Sequence, residues 1–197
     1  MIRKLILGLS LIACGGLLCE AQTAADPKNE FFAGYSYQSA DINTLTIDPQ
    51  RTSQNGANIE YTRNVTRNIG ITGDFSAHFH RDSTSTAGGK FSRQRDQYAL
   101  LGGLQFKAHN HDRVQPFAHA LFGVSIFRGF TSNITPAGNI FTFDDATSFG
   151  MALGGGLDIR TSKRIDVRLI QVDYSPTHFG SGWQHNVRLS IGIIFKK

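Results

Sequence analysis

The chain has 197 residues, 40% of them hydrophobic, with 20 Lys+Arg against 15 Asp+Glu and a formal net charge of +5. That is enough chain for one domain of ordinary size. The excess positive charge is small and spread along the sequence, so the composition gives no reason to expect a nucleic-acid partner.

The first residues read as a targeting segment. Met1-Ile2-Arg3-Lys4 is a short basic start, Leu5 to Leu18 is an apolar run broken only by small residues, and Ala21 to Ala25 is a small-residue stretch. This pattern predicts a secretory signal peptide over residues 1–25, with cleavage after Ala25 or Ala21. The run is short of the roughly 20 residues that a transmembrane helix needs. Leu11-Ile12-Ala13-Cys14 also resembles a bacterial lipoprotein cleavage box. Removing residues 1–25 takes away Arg3, Lys4 and Glu20, leaving 18 Lys+Arg against 14 Asp+Glu. It also removes Cys14 and Cys19, so the mature domain, 26–197, has no cysteine and no disulfide framework.

Eight segments then alternate with a period of two, the signature of strands with two unlike faces. The first, 31–37, sets Phe31, Ala33, Tyr35 and Tyr37 on one face. Residues 40–55 read as a polar loop. The second, 57–62, opposes Ala57, Ile59 and Tyr61 to Asn58, Glu60 and Thr62. After a turn at 64–68, the third, 69–79, opposes Ile69, Ile71, Phe75 and Phe79 to Thr72, Asp74, Ser76 and His78. Residues 81–93 read as a Ser/Thr/Gly-rich loop. The fourth, 97–106, carries Tyr98, Leu100, Leu104 and Phe106 on its apolar face. A charged turn spans 107–114. The fifth, 115–127, sets Ala118, Ala120, Phe122, Val124 and Ile126 against His119, Gly123 and Ser125. Residues 128–147 read as the longest loop.

The sixth segment, 148–160, opposes Phe149, Met151, Leu153, Leu157 and Ile159 to a glycine-rich face bearing Asp158. A turn at 161–164 follows. The seventh, 165–174, slips phase between Arg168 and Asp173, which predicts a β-bulge near Ile170-Gln171. After a loop at 175–183, the eighth, 187–195, alternates Val187, Leu189, Ile191, Ile193 and Phe195 with Arg188, Ser190, Gly192 and Ile194.

Two regularities specify the environment. Connections alternate between long and short, and the faces are unequal in an unusual direction. One face is large and aromatic, while the other is small, polar and sparsely charged. A soluble eight-stranded barrel needs bulky apolar residues inside and charges outside. A closed barrel in a bilayer satisfies both faces and leaves no backbone edge in hydrocarbon. With the termini on the periplasmic side, Phe31, Phe106 and Phe195 fall at one rim, and Tyr37, Phe79, Phe149, Tyr174 and Trp183 near the other, as two aromatic girdles. The expected fold is an all-β, eight-stranded antiparallel up-and-down transmembrane barrel in the outer membrane of a Gram-negative-type bacterium, surrounded by outer-membrane lipids. Short turns are then periplasmic and long loops extracellular.

The glycine-rich strand from Gly150 to Asp158, the strand Ile165 to Tyr174 and the terminal strand ending in Phe195 carry a family resemblance. Over nearly all of the mature chain, the sequence resembles the small eight-stranded outer-membrane β-barrels of the OmpA-like N-terminal type. The resemblance implies that Val187, Leu189, Ile191, Ile193 and Phe195 form the signal read by the barrel-assembly machinery, although Lys196 and Lys197 follow the aromatic that ends the strict pattern. No peptidoglycan-binding segment follows the barrel, so no cell-wall tether is expected.

Candidate sites are few. Glu60, Asp74, Asp158, Arg168, Asp173 and Arg188 fall on the inward face, with His119, as a structural network rather than a ligand site; buried charges must be paired. Eight strands leave room for side chains and little for a channel. His78-x-His80 and His109-x-His111 have the spacing of metal pairs on a strand, but they fall at opposite ends of the barrel. They read as solvated loop histidines, with His178 and His185 near one rim. His78, His80, Asp82 and Ser83 are the nearest approach to a Ser-His-acid cluster. Gly154-Gly155-Gly156 is mid-strand with no helix after it, so it is no phosphate loop; glycine there relieves crowding or permits curvature. The reading is a monomeric, non-enzymatic barrel with no cofactor or metal, a structural or surface-interaction role, and an unidentified partner for its loops. A lipid-A or phospholipid-acting barrel enzyme and a soluble lipocalin-like periplasmic barrel are the alternatives.

Overall fold

The computed structural model describes residues 27–41, 51–86, 89–108, 113–136, 138–179 and 182–197. The expected signal peptide over 1–25, with Cys14 and Cys19, lies outside them, as do His109 and His111. The described residues form strands β1 (Asn29–Asp41), β2 (Arg51–Asn64), β3 (Ile69–Thr86), β4 (Gly89–Lys107), β5 (Val114–Thr135), β6 (Gly138–Arg160), β7 (Ile165–Tyr174), β8 (Thr177–Phe179), β9 (Gly182–Gln184) and β10 (Val187–Lys196).

Every pairing is antiparallel, and eight of the strands close into a ring in the order β5-β4-β3-β2-β1-β10-β7-β6, with β6 returning to β5. The first and last ring strands meet along their length, Phe31 opposite Phe195 and Ser39 opposite Val187. Short β8 and β9 form a hairpin of their own that docks on β6 at Phe149 and Gly150. Within the closed ring each strand pairs on both sides; past it, β3 beyond Phe79 pairs with β4 alone and β6 before Phe149 with β5 alone.

Alternation sorts the side chains. Tyr35, Ile71, Leu104, Phe122, Leu169 and Ile191 face outward and are exposed, as are Leu189, Ile193 and Phe195, whereas Asn58, Thr72, Gln105, Asp158, Gln171 and Ser190 face inward and are buried. The arrangement inverts that of a soluble barrel. The inward apolar residues are few: Leu101, Leu121 and Ala152 form one small cluster, and Phe32, Phe117 and Ile194 are also buried.

The strands are longer than their alternation suggests. Residues 81–93 and 128–147 are mostly strand: β3 and β4 pair from Ile69–Phe106 to Thr86–Gly89, and β5 and β6 pair from Val114–Ile159 to Thr135–Gly138. Residues 51–55 also belong to β2. One wall therefore runs far past the ten-residue strands β7 and β10. Beyond the barrel neither face of these hairpins covers a core, so no apolar alternation is required, and the backbone ladder runs on to the hairpin tips.

The bulge in β7 lies at Leu169-Ile170, one position before the expected site. Leu157 pairs with Ile170 and Asp158 with Arg168, which leaves Leu169 without an opposite residue on β6. On the other side Ser190 pairs with Gln171 and Gly192 with Arg168. The extra residue lets Arg168, Gln171 and Asp173 all turn inward.

Candidate functional site

Polar and charged side chains from every ring strand point into the lumen. Strand β1 supplies Glu30, β2 Asn58 and Glu60, β3 Asp74, β4 Lys107, β5 His119, β6 Asp158, β7 Arg168, Gln171 and Asp173, and β10 Arg188; all are buried. They connect into one chain of contacts. Lys107 Nζ lies 2.6 Å from Glu30 Oε2 and 2.8 Å from Asp158 Oδ2. Arg168 donates from Nε to Asp158 Oδ1 at 2.9 Å and from Nη1 to Glu60 Oε2 at 2.6 Å. Gln171 donates to Glu60 Oε1 and Asp173 Oδ2, both at 2.8 Å. Arg188 donates to Asp173 Oδ2 and Asp74 Oδ1, both at 2.9 Å. Asn58 donates to Asp74 Oδ2 at 2.6 Å, and His119 Nε2 lies 2.8 Å from Asp173 Oδ1.

Arg168 is the centre of this network. Its guanidinium lies between two buried rings, 4.0 Å from the Phe117 centroid and 4.4 Å from that of Phe32. The planar group satisfies carboxylates at its edge and rings on its faces, a combination suited to arginine rather than lysine. Above it, Ser36 Oγ sits 2.9 Å from His78 Nε2, and Gln38 donates to Gln97 at 2.8 Å. Hydrogen bonds thus join inward side chains at several levels of the lumen.

The structure brings Glu60, Asp74, Asp158, Arg168, Asp173, Arg188 and His119 together in this chain. Glu30, Lys107, Phe32 and Phe117 also line the lumen, beyond the inward charges legible in sequence. Lys107 opens a segment that reads as a charged turn, yet it continues the inward parity of Gln105 and Gly103, and that parity is the signal that places it. Its replacement tests its weight: Lys107→Met should lower unfolding stability by about 1–3 kcal/mol, because Asp158 keeps Arg168 and Glu30 keeps a hydrogen bond from Asn64. The urea midpoint of the refolded barrel measures it.

The histidines separate. His78 is not a solvated loop residue but lies buried in the lumen, because β3 is still inside the ring at that level. His80 Nδ1 donates to the Ser53 carbonyl at 2.7 Å, and its Nε2 lies 2.6 Å from Asp82 Oδ2. Ser83 is one residue further along the same strand and so projects from the opposite face; His80, Asp82 and Ser83 do not converge. His185 stacks on Tyr174 and hydrogen-bonds its hydroxyl, and His178 meets Trp183 edge-on at 5.0 Å.

Comparison with known proteins agrees with this geometry. The family model for the outer membrane protein beta-barrel domain matches residues 10–195. No curated protein matches the chain. Among solved structures, Ail, the attachment invasion locus protein of Yersinia pestis, is 14% identical, with 87% of this chain and 100% of that one covered and a TM-score of 0.58. Neisserial surface protein A is 14% identical over 86% and 97% of the two chains, TM-score 0.53. The outer membrane protease OmpT from Escherichia coli is 7% identical over 89% and 99%, TM-score 0.54. At these identities the likeness is one of fold. The family match covers nearly the whole chain, and the closed ring with its apolar exterior and charged lumen is what such a protein requires: the chain belongs to the outer membrane protein beta-barrel domain family.

Proposed function

We propose that this barrel serves a structural or surface-interaction role in the outer membrane, with a sealed lumen, no catalytic activity, and its long hairpins standing outside the cell. One observation carries the reading: a continuous network of ion pairs and hydrogen bonds, bridged at Gln171, fills the lumen while the β3–β4 and β5–β6 hairpins run well beyond the ten-residue strands on the opposite wall. A plugged barrel transports little, so the parts free to act are the hairpins, where function on a rigid scaffold usually lies. The name of Ail describes attachment by a protein that shares the fold. The barrel-assembly machinery and outer-membrane lipids are the partners of its biogenesis.

The enzymatic reading has less behind it, since Ser83 points away from His80 and Asp82. Reconstitution into planar bilayers tests the sealed lumen. The expected trace has no steady single-channel conductance. Stable open steps in the unmodified protein would replace this reading with a pore.

A further inference from the structure

The outward face of the β5–β6 hairpin carries a patch that the lipid band does not account for. Even-numbered residues of β5 and odd-numbered residues of β6 face outward, as exposed Phe122, Val124 and Phe149 and buried Leu121, Ser125 and Ser148 show. The register continues without a shift to the hairpin tip. One row past Ile126 and Thr147, the outward face is crossed by charges: Asp96 on β4 pairs in register with Arg128 on β5, and Arg128 with Asp145 on β6. Charges in that position end the lipid-facing surface.

Apolar residues resume beyond the charged row. Phe130 lies directly opposite Phe143, with ring centroids 5.0 Å apart, and stacks on Phe141 at 6.3 Å. Ile134 continues the face. Phe143 is 77% exposed, Phe141 55% and Ile134 42%. Among the described residues no ion pair joins Arg128, Asp145 or Asp96 to a partner, and Asp96 Oδ1 is buried without a hydrogen bond. An apolar centre edged by unpaired charges is the anatomy of a protein interface.

We infer that this face pairs with the same face of a second copy of the chain. The charges choose the occupant. A two-fold axis along the membrane normal, passing between β5 and β6, sets Arg128 of each copy against Asp145 of the other and Phe130 against Phe143, each pair occurring twice. That is the self-complementarity an isologous contact demands. The membrane supplies the remaining condition: it holds every copy at one height and one orientation, so the patches meet without a vertical search. The inference replaces the monomer expected from sequence. It rests on the outer-membrane reading, and the heat-dependent mobility of each variant reports separately whether the barrel itself has formed.

The experiment uses native outer membranes with Thr147→Cys, an exposed outward position beside the proposed axis, and a short bifunctional maleimide. A cross-linked band at twice the monomer mass is expected. Arg128→Asp should reduce it at least tenfold, and the double exchange Arg128→Asp with Asp145→Arg should restore it. Phe143→Ser should abolish it while the heat-dependent shift persists. The inference is overturned by a monomer that resists cross-linking, by adducts to other proteins alone, or by a dimer band indifferent to both the charge exchange and Phe143→Ser.

Discussion

Replacing Arg168 with methionine should destabilise the barrel by about 3–5 kcal/mol, the cost of leaving partners of a buried ion pair unmatched. The substitution removes the donors to Glu60, Asp158 and Gln171 in one step; Asp158 keeps Lys107, but Glu60 loses its ion-pair partner and the Phe32 and Phe117 rings lose the guanidinium between them. Volume is nearly kept, so the loss is electrostatic rather than a cavity. The combination Arg168→Met, Glu60→Gln and Asp158→Asn should recover a large part of it, because neutral amides need no compensating charge. Urea unfolding of the refolded protein in detergent gives both values. If the single and triple variants unfold at the wild-type midpoint, the lumen network contributes nothing to holding the barrel.

Gly156→Val should prevent the barrel from closing in most molecules. A Cβ at Gly156 would lie 2.1 Å from the Ile170 carbonyl oxygen and 2.9 Å from Phe117 Cε1; at Gly154 it would lie 2.2 Å from the Val172 carbonyl oxygen. These are mostly backbone obstacles, which no rotamer change relieves. Overpacking commonly costs about 1–3 kcal/mol, and here the strand itself would have to move away from β7. Gly73 is the internal control, since a Cβ there meets nothing within 4 Å. Gly73→Ala should therefore fold to the wild-type extent. The folded fraction on an unboiled gel separates the two; equal folding would show that the glycine-rich stretch of β6 is not needed for the close approach of its neighbours.

Much of this architecture is legible in sequence where both faces of a strand have a job. From Ile165 to Tyr174 the lipid side demands Ile, Val and Leu while the lumen side demands Asp, Arg and Gln, and the alternation fixes both ends of the strand. Residues 81–93 lose that signal. Arg81, Ser83, Ser92 and Arg93 stand above the lipid band, where either face tolerates polar residues, so a strand and a polar loop read alike. The ladder with β4 and β5 makes it a strand, and pairing is a tertiary property. The same limit applies inside. Parity places Glu60 and Arg168 on the inward face, but they are 108 positions apart, and only closure of β1 on β10 and the bulge at Leu169-Ile170 put them at one level. Phe32 and Phe117 were hidden for a different reason. Parity turns both rings inward, but the role of each as a platform for a guanidinium depends on a partner distant in sequence.

A closed barrel with an apolar exterior and a charged lumen belongs in the outer membrane. Cell fractionation, with the mobility of unboiled and boiled protein compared on one gel, tests that most directly. Recovery in the outer-membrane fraction with a heat-dependent change in mobility is the predicted result. A soluble periplasmic protein with the same mobility before and after boiling would contradict it, and the inside-out assignment of every strand face would fall with it.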